Sequence, residues 1–395
     1  MPLNAKAPTM RDSRIDWLRG FALACIFVNH MPGNRLGDWT PRNFGFSDAA
    51  ELFVLLAGVA AALAFYRRFE DGQALRMSGK AIGRAGTLYL AHLGSSIAAI
   101  AILFAANWYF RSTEIDDLVG ATALFEDPLP GLLGMTFGGY QIGYFNILPL
   151  YVVLLLTLPA YLFLARINRH LMLAVSVAIY FAGHKYALHF PSYPVDHGWY
   201  FNPFAWQLLY ATGVYLGILK VKGASVPWHP VVAALALAYV LYALAWCVFQ
   251  LSAYFDTGVS LGLLPVWVET LSKPALPMSR YLHVLALAYL LLHSRVWTWM
   301  LRIGDRDALV LMGRHALPVF VVSSLLSLVG LIVLAHTGPT LALEAALTVG
   351  GLAIMIAIAF YYEYGLAPVR RLVTGTSNAA PAAIELRDDV TVRTR

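Results

Sequence analysis

The sequence predicts an all-α polytopic membrane protein of about ten transmembrane helices with both termini in the cytoplasm. Three observations carry this reading. The chain is 59% hydrophobic and 13% charged, with a mean hydropathy of +0.65, more apolar than a soluble domain of 395 residues can bury in a core. Apolar stretches suited to about 30 Å of hydrocarbon recur between polar or Pro/Gly-bearing breaks, and a spanning segment that must satisfy its own backbone is a helix. All but six of the 28 Lys and Arg fall on one side when the spans are threaded, which sets the N-terminus in the cytoplasm.

In chain order the predicted spans are 17–31, 49–66, 85–108, 145–165, 171–190, 204–219, 230–252, 281–293, 317–335 and 341–366. The first, sixth and eighth are the shortest. The first follows a charged segment and lacks a cleavage site, so it reads as a retained signal anchor. The six outer cations are Arg35, Arg42, Arg111, Lys185, Lys273 and Arg280. The division is one membrane domain, residues 1–372, and a polar disordered cytoplasmic tail, 373–395. The net charge of +6 is accounted for by inner loops facing anionic lipid, without nucleic acid. Cys25 and Cys247, both in predicted spans, suggest neither a disulfide framework nor a thiolate metal centre. No paired-His motif, phosphate loop or nucleophile elbow is present, so no metal site and no nucleotide-driven pump is expected.

Chemistry concentrates in the first hairpin. Arg19 and His30 are eleven residues apart on one helix, about 1100° of turn and about 16 Å of rise, so they share a face at different depths. Asp16 lies within about 40° of that face. Ionisable groups in a membrane helix usually face a protein interior or a water-filled cavity, so this stripe is a site candidate. Asp48 and Glu51 open the second span on the outer side and can face His30. Asp48 also has an ordinary reading as a helix cap. Glu51, inside an apolar run, needs a partner from His30, Arg42 or Arg280. A histidine beside a carboxylate can serve as general base.

The Arg19-x10-His30 element resembles the signature of transmembrane acyltransferases of the acyltransferase-3 type. The longer string RIDWLRG…NHMPGN…NFGFSDAAELFVLLAG resembles the OpgC family, as do YFNILPLYVVLL, NPFAWQLLYATG, KPALPMSRYLHVLALAYLL and GRHALPVF. The resemblance covers nearly all of the ten-helix region. It implies a multi-pass bacterial inner-membrane succinyltransferase, moving an acyl group from cytoplasmic acyl-CoA, here succinyl-CoA as cosubstrate, to hydroxyls of a periplasmic glucan. No permanently bound cofactor is implied. His30 would then be the general base, or an acyl-accepting nucleophile in a two-step route, with Asp48 or Glu51 orienting it and Arg280 stabilising an oxyanion or a succinyl carboxylate. Asp16, Arg19, Arg67, Arg68, Lys80, Arg84 and Arg314 are the donor-side candidates, and Asn34, Arg42, Trp206 and Gln207 the acceptor-side ones. Trp39, Tyr140, Trp199 and Tyr200 are further aromatics able to stack on sugar rings, although interfacial belts use the same residues. A proton-coupled transporter or flippase is the alternative, and a glucan-binding scaffold a third reading.

Overall fold

Four local caps show how the sequence starts its helices. Asp12, Asp48, Asn202 and Thr340 each accept a hydrogen bond from a backbone N–H in the first turn that follows, satisfying donors that a helix end otherwise leaves unpaired. At Asp48 the cap is reciprocal, because Glu51 accepts the Asp48 N–H in return. Pro203 and Pro230 stand at the starts of their helices, where a missing N–H costs nothing.

A computed structural model describes residues 12–193, 198–249 and 273–366. Among these residues the regular structure is entirely helical. The principal helices are α1 (Ser13–Asn29), α2 (Ala49–Glu70), α3 (Ala74–Phe110), α7 (Ile147–Ile167), α8 (Arg169–Lys185), α9 (Pro203–Val221), α10 (Pro230–Val248), α11 (Met278–Leu292), α14 (Ala316–Thr337) and α15 (Leu341–Phe360). Between α3 and α7 lie three short helices, α4 (Glu114–Leu118), α5 (Thr122–Glu126) and α6 (Pro128–Thr136); α12 (Arg295–Trp299) and α13 (Ala308–Arg314) lie between α11 and α14.

A helix stands at each of the ten predicted positions, and seven are long and apolar enough alone to cross a membrane. An eighth span arises if α11 is taken with the segment after it, from which it is bent by 61°. α1 and α8 are shorter, at 17 residues each. Boundaries moved most at α3, which starts at Ala74 rather than at 85: the intervening residues are mainly good helix formers, so the helix continues past the apolar stretch. The predicted outer loop 109–144 contains α4 to α6. Most of the predicted outer loop 253–280 and the tail 373–395 lie outside the described residues.

α1 packs against α2, α13 and α14, while α2 packs along α9 and α3 along α7. Two crossings depend on glycine. A side chain at Gly313 would collide with the Asp16 carbonyl of α1, and one at Gly58 with the Tyr210 carbonyl of α9. Small residues at such crossings let backbones approach, the usual device of membrane helix pairs. This packing holds α1, with its polar stripe, against helices from both halves of the chain.

Candidate active site

His30 is the residue after the last turn of α1, where its backbone N–H still bonds the Ile26 carbonyl at 3.1 Å. Its ring stacks on Tyr144, with centroids 4.0 Å apart and planes 9° from parallel. Nδ1 is buried and has no hydrogen-bond partner among the described residues. The imidazole opens on a chamber of about 480 Å³, also lined by Asn29, Arg42, Asp48, Asn146, Tyr200 and Lys273.

Asp48 and Glu51 do not hydrogen-bond His30. Asp48 Oδ2 accepts from Lys273 Nζ at 2.6 Å and from Arg280 Nη2 at 3.2 Å. Glu51, fully buried, accepts from Arg280 Nε at 2.7 Å and from the Asp48 N–H at 2.8 Å. The two carboxylates expected to orient the imidazole are thus bonded to other groups, although Asp48 lines the same chamber as His30. Two cations and the start of α2 claim their oxygens, and the contact on the face of the ring is Tyr144. The Asp48 cap and the ion network coexist, because Oδ1 bonds the Ala50 N–H while Oδ2 meets the cations. Nearby, Ser47 Oγ lies 2.7 Å from Nδ1 of the buried His283, tying the entry of α2 to α11.

Arg19 lies 3.8 Å from Asp16 on α1, and its guanidinium is 5.9 Å from the Phe53 ring centroid. It lines a separate cavity of about 190 Å³, as does Arg84 of α3. Arg67, Arg68 and Lys80 are exposed and line neither space. Arg314 is engaged by Glu363 at 2.7 Å and Asp305 at 3.1 Å, and His315 Nε2 lies 2.7 Å from the other Glu363 oxygen. Of the donor-side candidates, the structure brings together Arg19, its neighbour Asp16, and Arg84.

On the acceptor side only Arg42 reaches the His30 chamber. Asn34 is buried, donating to Thr348 Oγ1 at 2.9 Å and capping the turn at Leu36. Trp206 is fully buried with Nε1 donating to the Pro274 carbonyl at 3.1 Å. Gln207 accepts from Tyr161 and Ser176 hydroxyls at 2.5 and 2.6 Å and donates to the Ser176 and Phe204 carbonyls. Its amide is saturated by the helix packing. Asn34, Trp206 and Gln207 therefore hold helices together and do not line the chamber. Among the aromatics, Tyr200 lines it, while Trp39 is exposed, Tyr140 is buried against the Gly120 carbonyl and Trp199 bonds the Pro191 carbonyl.

Sequence reasoning missed Tyr144, Asn146 and the depth of Lys273's involvement. The stretch YFNILPL already stood out, but which helix end faces His30 is set by the packing of α7. No group of His, Cys, Asp and Glu suited to a metal occurs among the described residues.

Fold and site together define a class: an all-α multi-pass membrane protein with a histidine set in a polar chamber at the end of one helix. The chain belongs to the OpgC protein family, whose model matches residues 11–364. Membership suggests a glucan-modifying acyltransferase. No curated protein and no solved structure matches the chain.

Proposed function

We propose that this protein transfers a succinyl or similar acyl group from acyl-CoA, entering at the Arg19 side, to a glucan hydroxyl in the His30 chamber. The observation that carries this reading is the placement of two cavities along one helix: Arg19 lines one and His30 the other. Their eleven-residue separation, a rise of about 16 Å, suits an extended donor arm held by phosphates at one end and reacting at the other.

In the direct route His30 takes the proton as the hydroxyl oxygen attacks the thioester carbonyl. The carbon–sulfur bond then breaks, and the imidazolium returns the proton to the leaving thiolate. In the two-step route an imidazole nitrogen attacks the thioester carbonyl, the carbon–sulfur bond breaks and the CoA thiolate leaves with the proton of the imidazole. The hydroxyl oxygen then attacks the acyl-imidazole, the carbon–nitrogen bond breaks and the imidazole recovers its proton from the hydroxyl. Arg42 and Lys273 give the chamber positive charge suited to a developing oxyanion or a succinyl carboxylate. Arg280 acts at one remove by holding Asp48 and Glu51. Ten spans, an inner-membrane location and a His30 chamber on the periplasmic side complete this reading, as does a place in the acyltransferase-3 superfamily.

The test is acyl transfer by purified protein with labelled succinyl-CoA and a short glucan, against His30→Ala shown to fold. Loss of roughly 10²–10⁴-fold in transfer, the range for a positioned general base, is the expected result. A native protein that consumes no acyl-CoA yet moves solute in a His30-dependent way overturns the reading for the transporter.

A further inference from the structure

The Arg19 cavity and the His30 chamber share two lining side chains, Ile147 and Phe320. Ile147 is the first residue of α7 and Phe320 lies in the second turn of α14. Both are almost fully buried, at 4% and 2% exposure. They are the side chains that stand in the walls of both spaces. Ile147 is β-branched, and in a helix such a side chain has one strongly preferred χ1 position. Phe320 is the side chain able to move. Room for its ring lies on the Arg19 side, where α2 presents Ala57, Ala60, Ala61 and Ala64 to the cavity.

We propose that Phe320 decides passage between the two cavities: its ring stands across the path and turns toward the alanine face of α2 when a donor arm threads to His30. The donor's part in this rests on the acyl-transfer reading. The closure itself does not.

The test reads that path directly. Asn146 lines the His30 chamber and makes no side-chain cap bond at the start of α7. Asn146→Cys is placed in a Cys247→Ala background, leaving Cys25 buried. In sealed vesicles of one orientation, a charged, membrane-impermeant methanethiosulfonate is added to either side. With Phe320 intact, modification is expected from the His30 side and only slowly from the Arg19 side. Phe320→Ala should speed modification from the Arg19 side by about tenfold or more, the change produced by removing roughly 1.4 kcal/mol of barrier. Phe320→Leu, which keeps the core filled, should give a smaller rise. Equal rates from both sides with Phe320 intact overturn the proposal. So does an unchanged Arg19-side rate in both folded variants. Labelling needs no catalysis, so a chain that fails to transfer acyl groups would overturn the acyltransferase reading and leave this result interpretable.

Discussion

The imidazole of His30 stacks face to face on the phenol ring of Tyr144, 4.0 Å between centroids. Two elements 114 residues apart in sequence thus meet at His30, while the carboxylates at the head of α2 bond Lys273 and Arg280. An aromatic contact fixes the ring plane without choosing its tautomer, and with Nδ1 buried the other ring nitrogen is the one left to exchange protons.

Removing that contact should act on rate more than on folding. Stacked aromatic pairs are worth about 0.5–1.5 kcal/mol, so Tyr144→Ala should lower kcat for acyl transfer by up to about tenfold. Tyr144→Phe should retain near-native turnover. Steady-state kinetics of the two variants check this, and an equal loss in both would assign the phenol hydroxyl a direct role.

Arg280 holds the outer network, bonding Glu51 at 2.7 Å and Asp48 at 3.2 Å. Arg280→Ala leaves Glu51 buried without its cation and should destabilise the protein by about 3–5 kcal/mol. Thermal unfolding in detergent measures the loss. Adding Glu51→Gln should recover part of it, because the amide oxygen can still accept the Asp48 N–H without burying a charge. A double variant no more stable than Arg280→Ala would mean that charge burial is not the cause.

Two acceptor-side candidates should behave as packing residues. Gln207→Leu leaves the buried Tyr161 and Ser176 hydroxyls without their acceptor and should cost about 1–3 kcal/mol. Asn34→Ala should cost about 1 kcal/mol through its lost cap and its bond to Thr348. In both, the KM for glucan should stay at the native value. A raised KM with unchanged stability would return them to the acceptor site.

The cations on the donor side should separate by geometry. Both Arg84 and Arg67 are exposed, but Arg84 lines the Arg19 cavity and Arg67 does not. Arg84→Ala should raise the KM for acyl-CoA by about tenfold, in the range of one lost charge-assisted bond, while Arg67→Ala changes it little. Competition binding with desulfo-CoA gives the same comparison without turnover. Equal effects would point to a diffuse basic surface rather than the cavity.

The sequence by itself determined where the long apolar helices stand and which side chains of one helix share a face, but not the short helices α4 to α6, α12 and α13. The stripe of Asp16, Arg19 and His30, the paired acids at the head of α2 and the ten apolar segments are local properties, because rise and turn per residue are constant along a helix. The tertiary structure decided everything that passes between helices. Lys273 and Arg280, more than 220 residues from the acids they bind, became their partners, and Tyr144 became the neighbour of His30. Trp206 and Gln207 went into helix packing, and Phe320 came to stand between two cavities. Those outcomes follow from close approaches such as Gly58 to Tyr210 and Gly313 to Asp16. They depend on how helix faces fit together, and hydrophobic periodicity says which face is apolar without saying which other face will meet it.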